Sequence, residues 1–337
     1  MRKKKLFYFI LYALPLLVLP ASLLIGPSES ASFSKILEYL GYLTNPDKTG
    51  YSIDFSTLQT ILFEVRLPRI LLAFLVGGAL SVSGAGLQAI FRNPLVSPYI
   101  LGLSSGAAFG AALSLAWAFL PVQLSAFLFG LLAVAISYAV ALNRKNLSIV
   151  SLILSGIIVT GIFSALLTIV QFLTDPFKLQ SIIHWTMGNL HNTGWQSLQS
   201  SYIPILSGVF ILFLMRWRLN VLALGDEEAQ TSGINPVRGK LIVLVAATLA
   251  TSAAVAVAGI IGLYGLIVPH FVRMLAGPDN RQAMTLNFVL GGTFLLIIDD
   301  FSRTIAGFEI PIGVITMLIG APIFLYLMKK SNIGWED

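Results

Sequence analysis

Ten apolar stretches follow one another along the chain, at about residues 6 to 26, 67 to 90, 99 to 120, 124 to 142, 147 to 172, 202 to 217, 240 to 258, 260 to 276, 284 to 300 and 310 to 328. The sixth is short, and the seventh and eighth run almost into each other. A bilayer core of about 30 Å is crossed by about 20 helical residues. An unpaired backbone amide inside it costs several kcal/mol, so each stretch is expected as a helix; a membrane barrel would instead show segments of about ten residues alternating in polarity. The pattern predicts an all-α polytopic membrane protein of about ten transmembrane helices, one domain over residues 1–337. Three intervals exceed a plain turn: outer segments at about 27–65 and 173–201, and a cytoplasmic loop at about 216–239. Segments of that kind carry function at membrane surfaces, since spanning helices are committed to packing.

Composition agrees with the pattern. Of 337 residues 56% are hydrophobic and 11% charged, against about 25% charged in a soluble domain. The start, Met1-Arg2-Lys3-Lys4-Lys5 before Leu6–Ile25, has the shape of a signal peptide. Its apolar run is of spanning length and more spans follow, so it reads as an uncleaved first helix.

The net charge of +6 sorts by side of the membrane. With a cytoplasmic N-terminus, the inner set is Arg2, Lys3, Lys4, Lys5, Arg92, Arg144, Lys145, Arg216, Arg218, Arg238, Lys240, Arg273, Arg281, Lys329 and Lys330. The outer set is Lys35, Lys48, Arg66, Arg69, Lys178 and Arg303, so fifteen of the 21 cations lie inside against six outside. That bias places both termini in the cytoplasm, and it makes the basicity topological, with no nucleic-acid site implied. The absence of Cys excludes a disulfide framework, a thiolate metal site and a cysteine nucleophile.

Several chemistries are missing. The nearest approach to a phosphate-cradling loop, Gly233 to Lys240, has one residue too many and is followed by Leu241 where a Ser or Thr would hold magnesium. The chain is therefore not expected to hydrolyse ATP. Asp299-Asp300 is an acidic pair at the outer end of the ninth span, with Arg303 four residues from Asp299 on the same face; it reads as a locally neutralised helix end in preference to a proton relay. Glu64 is also terminal. His184, His191 and His270 lack the spacing of a metal site, so no metal ligand is assigned. Gly102-Leu103-Ser104-Ser105-Gly106 fits a loose nucleophile-elbow pattern but lies within a span, where small residues serve helix packing. Gly77, Gly78, Gly84 and Gly86 on the second span, and Gly262 and Gly265 on the eighth, read the same way.

Four stretches carry a family signature. They are Arg66-Leu67-Pro68-Arg69 through Gly84-Ala85-Gly86-Leu87-Gln88 to Asn93-Pro94-Leu95; Leu224-Gly225-Asp226-Glu227-Glu228-Ala229 with Gly233; Gly262 to His270 with Arg273 and Gly277 to Arg281; and Glu309-Ile310-Pro311-Ile312-Gly313 to Phe324. Together they resemble the iron-chelate and cobalamin (FecCD-type) ABC importer permease family, over roughly four-fifths of the chain. The resemblance implies a type II importer fold in a bacterial or archaeal plasma membrane, moving a metal chelate of the siderophore-iron, haem or cobalamin class inward by alternating access. It implies two cytoplasmic ATPase subunits that hold ATP and Mg, an extracytoplasmic substrate-binding protein and a second permease copy, with no cofactor on this chain. An oxyanion such as molybdate as cargo, or an ion-gradient-driven transporter of another class, stays open.

The resemblance also assigns residues. Gly225, Asp226, Glu227, Glu228, Ala229 and Gly233 look like the coupling element that seats on the ATPase, where a glycine permitting a left-handed turn would make a compact knob. Arg66 and Arg69, with Pro68 starting the second helix between them, and Arg303 lie outside against the positive-inside bias; they are expected to pair with Glu on the binding protein. Asn93 and Leu95 are expected to face the inner gate at a turn where Pro94 breaks the helix. The fifth span is expected to line the path with Ser151, Ser155, Thr160 and Ser164, a mildly polar wall suited to a bulky chelate.

Overall fold

The structure is a computed structural model that describes residues 2–44, 55–143, 146–191 and 193–330. Lys48, Arg144 and Lys145 of the charge count lie outside the described residues. The chain runs α1 (Arg2–Leu24), α2 (Phe33–Thr44), α3 (Phe55–Gln59), α4 (Leu67–Phe91), α5 (Leu103–Trp117), α6 (Val122–Ala141), α7 (Ile149–Leu173), α8 (Pro176–Thr186), α9 (Trp195–Leu214), α10 (Arg216–Leu224), α11 (Asp226–Thr231), α12 (Pro236–Ala258), α13 (Tyr264–Ala276), α14 (Asn280–Thr304) and α15 (Ile312–Lys330). A two-residue antiparallel ladder joins Leu142–Asn143 to Asn146–Leu147 between α6 and α7. Among the described residues seven helices are long and apolar enough to cross a membrane, and three shorter apolar ones match the third, eighth and tenth expected spans.

Two boundaries differ from expectation. The second span does not begin at Pro68: it is continuous from Phe55 to Phe91, 37 residues, because Thr60–Arg66 forms a π-helical turn. A proline inside a helix clashes with the carbonyl four residues back and lacks a donor. The wider turn just before Pro68, in which Leu67 N–H reaches Leu62 O, relieves both difficulties. The extension lies beyond a bilayer's thickness, and Leu58 and Leu62 bury with Ala31, Ile36 and Tyr39 of the α2 region as a small core of the first outer segment.

The seventh and eighth spans are separated by five non-helical residues, Gly259 to Leu263. Gly259 (φ 67°) and Leu263 (φ 60°) take left-handed conformations, and a Cβ at Gly259 would overlap the Trp185 carbonyl. Unwound backbone at membrane depth survives only where protein satisfies it. Here Ala258 O accepts from Asn189 N, and Ile261 O accepts from Tyr99 Oη at 3.1 Å.

Burial sorts the helices. α4 is apolar all round and buried over most of its length, enclosed by α9, α12, α13 and α14. It reaches α14 through small residues: Gly77 faces Gly291, and Gly78 faces Phe288. At the outer periphery α1 buries one stripe, Tyr8, Leu11, Leu14, Val18, Leu19 and Leu23, at helical spacing. Pro15 and Ser22 are buried as well, while Phe7, Phe9, Ile10, Tyr12, Leu16 and Leu17 on the other side of α1 are exposed, as is most of α7.

Candidate functional site

The end of the bundle that carries α10 and α11 holds a protruding knob. α10 and α11 meet at the buried Gly225. α11 is closed by a two-bond cap: Ile234 N–H reaches Ala229 O at 2.8 Å and Gly233 N–H reaches Gln230 O at 2.9 Å, with Gly233 left-handed at φ 76°. This is the Schellman arrangement, which satisfies the last carbonyls of a helix and turns the chain sharply. Nothing stands near where a Gly233 Cβ would be, so the position demands glycine for its backbone and not for space. The next helix starts at once, Asn235 capping α12 through its side chain to Arg238 N at 3.0 Å.

One face of α11 is anchored and the other is free. Ala229 is fully buried, while Glu227, Glu228, Gln230, Thr231, Ser232 and Gly233 are exposed. Asp226 holds the buried Lys240 Nζ at 2.6 Å, which fastens α11 to the first turn of α12. Lys240 and Gly239 are thus helical and engaged with Asp226 and Leu222, with no phosphate cradle between Gly233 and Lys240. α10 is tied in turn to the α13–α14 turn: Asn220 donates to Asp279 Oδ1 at 2.7 Å and accepts from Asn280 N at 2.8 Å. Hydrogen bonds from Arg281 and from Asn220 hold the Asp279 carboxyl well below its ordinary range, so this clasp stays charged at any physiological pH.

The turn at Asn93–Leu95, where the gate is expected, lies at the same end. Arg92 (φ 53°) ends α4, and Asn93 Oδ1 accepts from Leu95 N at 2.8 Å, an Asx turn. Leu95 is 39% exposed. The knob, the Asn93–Leu95 turn and the α13–α14 turn therefore share one end of the molecule.

At the opposite end lie the three arginines expected to dock the binding protein. Arg66, Arg69 and Arg303 are 3%, 6% and 4% exposed, and each is engaged within the chain. Arg66 donates to Leu23 O at 2.7 Å and Ala31 O at 3.1 Å, and Arg303 reaches Ser22 O at 3.3 Å, so two guanidiniums close the carbonyl end of α1. Arg69 binds the fully buried Asp299 at 2.8 Å and Glu309 at 2.9 Å; Arg303 pairs with Asp299 at 3.6 Å and also with Asp300. His191 from the second outer segment completes the cluster on Glu309 at 3.1 Å. Burial opposes ionisation of Glu309, but the hydrogen bonds and charge of Arg69, joined by those of His191, bring it below the ordinary glutamate value. As placed here, the arginines stitch α1, α4, α14 and the α14–α15 loop together and do not stand out as free cations. Asp299 and Asp300 are locally neutralised, with Arg69 as a partner 230 residues away.

The expected lining divides. Ser155 is buried, its Oγ donating to Ser137 O at 2.7 Å and Leu152 O at 2.9 Å, so within this chain it packs α7 on α6. Ser151 and Ser164 are exposed, Ser164 Oγ lying 3.4 Å from Ser105 Oγ, and Thr160 is half-buried. α7 is unbroken, and at 100° per residue Ser151 and Thr160 point to opposite sides. One face of α7 does not present all four. Ser155→Ala is expected to lower thermal stability by about 1 kcal/mol and leave the uptake rate unchanged; a melting curve beside an uptake assay reads both. Of the histidines, His184 lies in α8 and His270 in α13, and no group of three or more metal-ligating side chains occurs among the described residues.

This arrangement has counterparts. The FecCD transport family pattern matches residues 14–330. The chain belongs to the FecCD transport family. It is 37% identical over 322 residues to the "Probable iron chelatin transport system permease protein" of Helicobacter pylori, covering 95% of this chain and 97% of that one. It is 38% identical over 324 residues to the molybdate import system permease protein MolB of Haemophilus influenzae, covering 95% and 94%. A solved structure of an inward-facing metal-chelate type ABC transporter is 34% identical, with a TM-score of 0.82 over 97% of this chain and 99% of that one. This FecCD protein is accordingly a multi-pass membrane permease subunit of an ABC importer, and the chain is not itself catalytic. Relatives of comparable identity occur in bacteria and archaea.

Proposed function

We propose that this permease moves a metal chelate of the siderophore-iron, haem or cobalamin class into the cytoplasm by alternating access, driven by two separate ATPase subunits and fed by an extracytoplasmic binding protein. The observation that carries the reading is the knob: a short helix anchored on one face by Ala229 and the Asp226–Lys240 pair, and free on the other. A rigid protrusion of that kind transmits motion of a bound partner to α10 and α12. ATP and Mg belong to that partner. The inner gate is assigned to Asn93 and Leu95, and the path to the side of α7 that carries Ser151 or to that of Thr160 and Ser164. Two copies are proposed to enclose the path, with the exposed apolar residues of α7 facing the second copy or lipid. Both termini are placed in the cytoplasm, on the side of the knob.

A chelate is preferred to an oxyanion because α7 carries hydroxyls and no charge, a wall of low affinity for a bulky cargo. MolB is the specific reason to keep molybdate as the second reading. Uptake of a ferric siderophore, haem, cobalamin and molybdate into proteoliposomes holding the permease, its ATPase and its binding protein decides between them. ATP-dependent accumulation of molybdate alone overturns the chelate assignment, and uptake driven by a proton gradient without an ATPase overturns the importer mechanism for this chain.

The knob has its own test. Holding a residue with a Cβ in the left-handed region costs about 1–2 kcal/mol, while Asn adopts it more readily. Gly233→Val is expected to reduce ATPase co-purification and coupled uptake about tenfold, and Gly233→Asn to retain most of both. Equal loss in the two variants would mean that the left-handed turn is not what the partner needs.

A further inference from the structure

Gln88 lies near the end of α4, is 2% exposed and has its amide engaged on both sides. Nε2 donates to Val96 O at 3.2 Å, at the close of the gate turn, and to Leu266 O of α13 at 3.3 Å. Oε1 accepts from Arg273 Nη2, in the last turn of α13. One side chain thus joins the gate turn to both ends of a helix. The backbone sets this up. Gly84, one turn earlier on the same face, and Gly265, next to Leu266, bring α4 and α13 so close that a Cβ at Gly84 would overlap the Gly265 carbonyl, while Pro98 packs on Gly265 from the gate side. Beyond that contact the helices leave room for a buried amide.

The far end of α13 continues into the turn that Asp279 and Asn280 tie to Asn220 of α10, which leads into the knob. A hydrogen-bonded route therefore runs from α10 through the α13–α14 turn and α13 to Gln88 and on to Val96. A lone amide buried without partners costs about 1–3 kcal/mol, so the gate turn cannot shift on α13 without either breaking these bonds or moving with it.

We infer that Gln88 is a positioning residue that makes the gate turn follow α13, so that displacement of the knob becomes displacement of Asn93 to Val96. This rests on the reading of Asn93 and Leu95 as the inner gate. The chain has no cysteine, so Leu95→Cys supplies one reporter thiol per permease copy, read on the permease band after the subunits are separated. The complete transporter, with its ATPase and binding protein, is reconstituted in liposomes with the ATPase side outward. The rate at which a membrane-impermeant maleimide labels position 95 is then measured without nucleotide and with ATP trapped by vanadate.

With Gln88 intact, nucleotide is expected to change the labelling rate several-fold. Gln88→Leu and Gln88→Glu are each expected to abolish that contrast. The second keeps an acceptor for Arg273 but loses the donors to Val96 and Leu266; being polar and of the same size, it keeps the test informative if Gln88→Leu fails to assemble. A purely structural role would lower the yield of assembled transporter and leave the contrast in what remains. Retention of the full contrast in Gln88→Glu overturns the inference while leaving the gate assignment standing. Absence of contrast with Gln88 intact overturns the gate reading, and the inference falls with it.

Discussion

Gly84→Ala is expected to cost more stability than any other single methyl added to this protein's exposed or helical glycines, while Gly161→Ala is expected to cost nothing or to stabilise slightly. At Gly84 the obstacle is the backbone carbonyl of Gly265, which no side-chain rotation moves aside, so α4 and α13 must separate along the contact that also seats Pro98. Overpacking a well-filled interior costs about 1–3 kcal/mol where side chains can adjust; with backbone on both sides the upper end of that range, about 3 kcal/mol, is expected. Gly161 lies within α7 with nothing within 4 Å of its added methyl, and in an open helical position alanine gains about 0.5–1 kcal/mol over glycine. Melting curves of the two variants in detergent should shift in opposite directions, or at least differ by several degrees. Equal shifts would mean that the α4–α13 contact is looser than its geometry. Because Gln88 is one turn away, Gly84→Ala should also weaken the nucleotide dependence of labelling at position 95, which Gly161→Ala should not.

Much of the architecture was legible in the apolar pattern, since a span needs only length and hydropathy to be seen. The misplaced boundaries share a cause. Gly259-Ile260-Ile261-Gly262 is as apolar as a helix, and it unwinds because neighbours satisfy the freed backbone: Asn189 N–H closes the end of α12 at Ala258 O, and Tyr99 Oη serves Ile261. Pro68 carries the ordinary signal of a helix start, and the π-helical turn that lets the helix pass through it depends on where Arg66 and Trp195 find partners: Trp195 Nε1 donates to Phe63 O at 3.0 Å within that turn. The knob was read from a local spacing, and its cap is local too. The charge cluster was not, because a sequence shows that Arg69 opposes the charge bias but not that Asp299 waits 230 residues away. The division of the α7 hydroxyls was within reach of helical geometry alone, since Ser151 and Thr160 are nine residues apart, or about 900° of rotation. Gln88 was visible only as one member of a motif; the role proposed for it comes from three partners in two segments, Val96 after α4 and Leu266 and Arg273 at the two ends of α13.

Asp299→Asn is expected to destabilise the end of the bundle opposite the knob by about 3 kcal/mol, in the range for breaking a buried pair by removing one partner. Asp299 is fully buried and bridges two guanidiniums, Arg69 by a fork of Nε and Nη2 contacts and Arg303 at 3.6 Å. The amide keeps the shape but offers a donor toward a cation and removes the charge that offsets two. Glu309 and Asp300 then carry the two arginines alone. Arg66 and Arg303 also close the carbonyl end of α1, so the damage should spread to that peripheral helix, which buries only one stripe of its own. The expected result is a lower melting temperature by several degrees and faster proteolysis of the α1–α2 connection, with ATPase co-purification less affected because the knob lies at the other end. Asp300→Asn, whose partners are Arg303 and Ser22, should do the same to a smaller degree. If instead Asp299→Asn left stability unchanged and abolished uptake in a proton-dependent manner, the buried carboxylate would be a working proton site and the scaffold reading of this cluster would fail.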